Sequence, residues 1–96
     1  MVAYVVMVRD KMTDPAAFET YSSLAGPAAV GHAMTPLAIY GKLETLEGPE
    51  IEGAVILQFP SIEEAKAWYD SPAYQAAAVH RKAGAVYHGF VVEGFG

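Results

Sequence analysis

Cysteine is absent from this chain of 96 residues, so disulfides, thiolate chemistry and cysteine-ligated zinc have no part in it. Basic residues are few: six Lys and Arg stand against 11 Asp and Glu, for a formal charge of −5. Nucleic-acid binding needs clustered Lys and Arg, and the adjacent pair Arg81-Lys82 is not a patch. No apolar run is long enough to span a bilayer. The N-terminal stretch, Met1 to Val8 followed by Arg9, has neither a basic leader nor a cleavage site. These absences point away from nucleic acid and membrane and towards a cytoplasmic protein. Repeats, linkers and low-complexity runs are missing too, so the chain is read as one domain, 1–96. Nothing resembles a catalytic triad, a phosphate loop, a dinucleotide fingerprint or a metal-protease helix, which leaves little support for a nucleophilic mechanism.

What the chain has in quantity is apolar surface. It is 53% hydrophobic and 11% aromatic, with only 18% charged residues. A chain of this size buries roughly 65% of its unfolded surface, so one small core cannot hide so much apolar material. Association with a second copy is the simplest remedy. A monomer with a large apolar pocket is the alternative.

The pattern along the chain predicts six principal elements. Residues 2–9 are apolar on both alternating sets (Val2, Tyr4, Val6, Val8 and Ala3, Val5, Met7), the mark of a strand covered on both faces. Asp14-Pro15 supplies an N-cap and a first-turn proline, and Phe18, Tyr21 and Ala25 follow at helical spacing until Gly26-Pro27 interrupts. Ala28 to Ala33 adds a short turn or two. Leu37 to Leu43 alternates as a second strand, Glu47-Gly48-Pro49 is a turn, and Gly53 to Phe59 is a third strand, apolar apart from Gln58. Ser61 and Glu64 form a capping box for a helix over Ile62 to Asp70. Ser71-Pro72 restarts it with a new cap, so two helical segments of different direction are expected, the second carrying Tyr74, Ala77, Ala78 and Arg81 on one stripe. Gly84 ends that helix, and Val86 to Glu93 is the last strand. The order β-α-β-β-α-β predicts an α+β, ferredoxin-like fold: a four-stranded antiparallel sheet with its helices on one face. The outward apolar set on Val2–Val8 and Ala54–Phe59 then calls for a second sheet from an identical chain, a homodimer burying more than about 1,600 Å².

The segment Trp68-Tyr69-Asp70-Ser71-Pro72-Ala73-Tyr74-Gln75, with Phe59-Pro60-Ser61 before it and Val91-Val92-Glu93-Gly94 after it, resembles the domain-of-unknown-function family DUF 1330, of the dimeric α+β barrel superfamily. Asp14-Pro15 with Phe18 and Tyr21, and Leu46-Glu47-Gly48, match as well, so the resemblance covers nearly the whole chain. It implies a fold and a dimer rather than a reaction, because related barrels include cofactor-free monooxygenases, dehydratases, isomerases and haem-degrading enzymes. Family members commonly carry a Gly-Gly-Arg step entering the second strand, and often another Arg along it. Here His32-Ala33-Met34-Thr35-Pro36 and Ile39-Tyr40-Gly41 stand instead, so an anion-binding role for those arginines does not carry over.

Three histidines are the acid–base candidates. His32 sits at the passage from helix to strand, by the expected pocket mouth. His80 lies beside Arg81, and His88 opens the last strand. The latter two flank one turn, yet no carboxylate has matching spacing for a metal site. Arg81, on an otherwise apolar stripe, needs a carboxylate from the protein (Asp70 or Glu93) or from a ligand. Trp68, Tyr69 and Tyr74 read either as core or, with Tyr21 and Tyr40, as an aromatic pocket wall. The site expected from these residues has His32 and Arg81 as catalytic groups and Tyr21, Tyr40, Trp68 and Tyr69 as ligand-binding groups. It holds a small organic acid or phenol, without metal or cofactor. Two functions remain open: a cofactor-independent enzyme performing acid–base chemistry on a small apolar or aromatic metabolite, and a non-catalytic dimeric module that binds a small molecule or stabilises an assembly.

Overall fold

The computed structural model describes residues 1–95. Its elements are β1 (Ala3–Met12), α1 (Pro15–Ala28), β2 (Thr35–Ile39), β3 (Gly53–Phe59), α2 (Ile62–Tyr69), α3 (Pro72–Gly84) and β4 (Ala85–Glu93). The strands form one antiparallel sheet in the order β2-β3-β1-β4, the ferredoxin-like arrangement the pattern predicts.

Period-two alternation divides the sheet as expected. Ala3, Val5 and Met7 of β1 and Leu57 and Phe59 of β3 are buried. Trp68 and Ala65 from α2, and Tyr74 and Ala78 from α3, pack against this inner face. The opposite face carries rows set by the register: Ile56, Val6 and Phe90 in one, Gln58, Tyr4 and Val92 in the next. Among the described residues no element covers these rows, and Phe90 is 53% and Val92 47% exposed.

Helix boundaries follow their caps. Asp14 accepts from the amides of Ala16 and Ala17, and Ser61 from that of Glu64. Ser71 serves both sides of a real break: its hydroxyl accepts from the Tyr74 amide at 3.2 Å and donates to the Trp68 carbonyl at 2.7 Å. Gly84 closes α3 against the start of α1, its carbonyl accepting from the amides of Thr13 and Asp14. A Cβ here would lie 2.6 Å from the Phe18 nitrogen, so only glycine permits this approach.

Two expectations are corrected. Gly26-Pro27 does not interrupt α1, which runs to Ala28. Pro27 falls in the last turn, where its missing amide removes one hydrogen bond and no further helix follows to be disrupted. The second strand is Thr35–Ile39 rather than Leu37–Leu43. It stops because Tyr40 adopts a left-handed backbone, φ 50°, which ends the pairing. Pro36 is tolerated because β2 is an edge strand.

Candidate functional site

An open cleft of about 990 Å³ lies between α2, α3 and the edge strand β4. Val5 and Met7 supply apolar floor, Val91 and Phe90 line the strand side, and Tyr69 projects from α2. Its charge is unlike that of the chain. Lys66, Arg81 and Lys82, three of the six basic residues, line it, whereas Asp70 is its one carboxylate out of 11 among the described residues. A local cation cluster in an acidic protein favours an anion by short-range contact rather than by long-range steering.

Arg81 is the most constrained of these cations. α3 presents Tyr74, Ala77, Ala78 and Arg81 on its buried stripe, and Arg81 is only 5% exposed. Its guanidinium carbon lies 5.1 Å from the centroid of the Tyr87 ring. No carboxylate meets it: among the described residues neither Asp70 nor Glu93 forms the expected ion pair, and Nε has no hydrogen-bond partner. A buried charge costs several kcal/mol, and a desolvated cation–π contact returns only about 2 kcal/mol.

Behind the cleft, aromatic hydroxyls are tied to one another. Tyr21 and Tyr74 share a hydrogen bond of 3.0 Å, and the hydroxyls of Tyr40 and Tyr87 are bonded as well. Tyr40 reaches Tyr87 because its left-handed backbone turns the ring inward across Gly53, where a Cβ would lie 2.8 Å from Tyr40 Cδ1. Arg9 stacks 4.8 Å from the Tyr40 ring and 5.1 Å from Phe18, with Glu52 3.6 Å from its Nε. Burial raises the pKa of Tyr21, reinforced by neighbouring Tyr74. Burial and the Tyr40 hydrogen bond raise that of Tyr87. Tyr40 is raised by burial, with Tyr87 and Arg9 opposing. These phenols therefore stay neutral donors under ordinary conditions.

The six site residues expected from the sequence do not share one hollow. Arg81 and Tyr69 line the cleft. Trp68 is buried in the core, its centroid 4.2 Å from that of Tyr74, and Tyr21 and Tyr40 belong to the tyrosine network behind it. His32 is elsewhere: it lines a smaller hollow of about 410 Å³ with Val2, Gln58 and Phe59. The reason is topological, since the turn after α1 leads to β2, at the sheet edge opposite β4. Sequence reasoning missed Lys66, Lys82, Tyr87 and the pairing of His88 with Asp10, whose Nδ1 and Oδ2 are 2.7 Å apart. No local spacing singles out the two lysines, and none links residues 10 and 88. Among the described residues no group of three or more His, Cys, Asp or Glu is placed to hold a metal, and no helix is long and apolar enough to cross a membrane.

Sheet order and helix placement define the class as ferredoxin-like α+β. Within that class the chain belongs to the family described as Domain of unknown function (DUF1330), which matches residues 2–95. No curated protein matches the sequence. Several solved structures are similar in fold. A protein of unknown function from Rhodopseudomonas palustris is 16% identical with a TM-score of 0.77, over 99% of this chain and 83% of its own. A dimeric ferredoxin-like protein of unknown function from Thermobifida fusca is 15% identical with a TM-score of 0.68, over 97% of this chain and 91% of its own. SnoaB, a cofactor-independent oxygenase from Streptomyces nogalater, is 12% identical with a TM-score of 0.60, over 99% of this chain and 93% of its own.

Proposed function

We propose that the protein is a homodimer in which each protomer holds a small, largely apolar organic acid or phenol in the cleft between α2, α3 and β4, its anionic oxygen on Arg81. One observation carries the reading: Arg81 is 5% exposed without a carboxylate partner among the described residues. The apolar floor supplies affinity and the cations fix orientation, the usual division of labour in a small-molecule site. Lys66 and Lys82 at the rim add to the attraction. The dimer is supported by the uncovered row Ile56, Val6 and Phe90 and by the dimeric state named for the Thermobifida fusca protein of the same fold.

Arg81→Met keeps much of the apolar stem and deletes the charge. Because the charge is buried and unpaired, its loss should leave thermal stability equal or higher. Affinity for benzoates and phenols, measured by calorimetry, should fall about ten- to hundredfold, as expected for a charge-assisted hydrogen bond of about 1.5–3 kcal/mol. A variant that unfolds would instead make Arg81 a structural residue. Undiminished affinity would remove it from the site.

A further inference from the structure

The strand register gives the cleft a direction. Tyr87, Gly89 and Val91 of β4 stand opposite Arg9, Met7 and Val5 of β1, so they share the helix-covered face. Val86, His88 and Phe90 alternate onto the outer face, which the proposed second copy covers. On the helix-covered side the cations gather at one end: Arg81 stacks on Tyr87, and Lys82 follows in the same last turn of α3. The other end belongs to Val91 and Ile62, because α2 begins just after Phe59, which faces Ala3 in the row of Glu93. The four residues from Tyr87 to Val91 span about 13 Å at the rise of a strand. Gly89 keeps the floor between them continuous. A Cβ there would lie 2.5 Å from Met7 Sδ, so the missing side chain lets Met7 lie across the strand wall. Among the described residues the one hydroxyl on that wall, Tyr87, is bonded to Tyr40. Lys66 and Asp70 are exposed on α2 and keep their charges in water at the rim.

We infer that the cleft takes unbranched amphiphilic acids of medium chain length, the carboxylate on Arg81 and the alkyl chain laid over Met7 and Val5 towards Val91 and Ile62. The inference rests on the reading that Arg81 holds the anionic oxygen, and it adds the form of the rest of the ligand. Size is the first argument. Clefts of about 300–1,000 Å³ accommodate drug-sized ligands, so a space of about 990 Å³ is far more than one aromatic ring fills. Polarity is the second. With its cations at one end and its strand-wall hydroxyl already bonded, the floor offers a sugar acid or hydroxy acid no partners, and its hydroxyls would lie unpaired on Met7 and Val5. An alkyl chain needs no partner and gains from every methylene taken out of water. Length is the third. Decanoate, fully extended, is about as long as the run from Tyr87 to Val91.

The test is calorimetric binding of butyrate, hexanoate, octanoate, decanoate and tetradecanoate, each kept below its micelle-forming concentration. Wild-type affinity should rise about two- to fourfold per methylene up to decanoate and then level, because further carbons leave the cleft. Benzoate should bind at least about tenfold more weakly than decanoate. So should decanedioate, whose second carboxylate would fall beside Val91 and Ile62. Ile62→Asp puts a carboxylate at the apolar end. As the first residue of α2, an acid there suits the helix N-terminus, and circular dichroism verifies the fold. This variant should flatten the dependence on chain length while butyrate affinity changes less than about twofold. Arg81→Met should lower octanoate and decanoate affinity alike, about ten- to hundredfold. Benzoate or decanedioate binding as tightly as decanoate overturns the inference and leaves the reading of Arg81 intact. Affinity that climbs past decanoate without levelling, or that ignores Ile62→Asp, overturns it as well, since the chains would then lie on the outer sheet face. If Ile62→Asp does not fold, the wild-type series and decanedioate decide. Acid binding that is indifferent to Arg81 at every chain length overturns both.

Discussion

At the scale of single residues, the phenols are where burial changes chemistry most. Tyr21 and Tyr87 have their pKa values pushed well above the ordinary tyrosine value of about 10, in both cases chiefly by burial. A phenol harder to ionise in the folded state than in the unfolded state stabilises the fold fully below pH about 10. As pH rises beyond that, the unfolded chain releases protons that the folded chain retains, so stability falls. Alkaline unfolding should therefore begin above pH about 10, with tyrosinate absorbance from the buried residues rising together with the loss of circular dichroism. Early tyrosinate absorbance from all six tyrosines over an intact fold would contradict this. The sequence made part of this legible: Trp68, Tyr69 and Tyr74 read either as core or as a pocket wall, and the structure buries Trp68 and Tyr74, so that the hydroxyls of Tyr74, Tyr21, Tyr40 and Tyr87 need partners. That those partners are other hydroxyls was not legible, because Tyr21 and Tyr74 are 53 positions apart and Tyr40 and Tyr87 are 47 apart. His32 and Arg81 line different hollows for a related reason: which loops meet at one sheet edge is decided by strand order rather than by residue type.

At the scale of elements, the local chemistry of the helix caps was read well, whereas that of Gly26-Pro27 was not, since α1 continues through it. Asp14, Ser61 and Ser71 all cap as their spacing indicates, and the helix break falls at Ser71-Pro72. Ser71 has the larger task, since one hydroxyl both caps α3 and closes α2 on the Trp68 carbonyl. Ser71→Ala should cost about 1–2 kcal/mol and lower Tm by at least about 4 °C. Ser23→Ala, on an exposed turn of α1 where the hydroxyl only doubles up on the Glu19 carbonyl, should stay within about 0.5 kcal/mol of wild type. Equal melting temperatures for the two variants would show that the α2–α3 junction is held by packing alone. Longer-range geometry escaped the sequence. The extent of β2 depends on the left-handed turn at Tyr40, and the aim of Asp10 on an irregularity in β1. Neither leaves a compositional trace, because tyrosine and aspartate occur freely in regular strands and loops.

At the scale of the whole molecule, the excess of apolar residues and the doubly apolar strands have one common account. The inner face of the sheet is satisfied by Trp68, Tyr74 and their neighbours, and the outer face is left with Val6 at its centre, flanked by Ile56 on β3 and Phe90 on β4. An isolated protomer would hold these side chains in water. At about 25 cal/mol per Å² of apolar surface, covering such a face is worth many kcal/mol before the entropy of association is subtracted. A second sheet laid on the first would supply that cover, with Val6 and Phe90 meeting their equivalents across a two-fold axis. Val6→Lys places a charge in the middle of this face while leaving the inner core untouched, since Val5 and Met7 point the other way. Light scattering of the wild-type protein at micromolar concentration should give twice the chain mass of 10.2 kDa, and Val6→Lys should give the chain mass itself with its circular dichroism retained. A wild-type protein of single-chain mass would refute the homodimer. A dimer unaffected by Val6→Lys would move the interface off the sheet, because a buried lysine without a partner could not be accommodated at its centre.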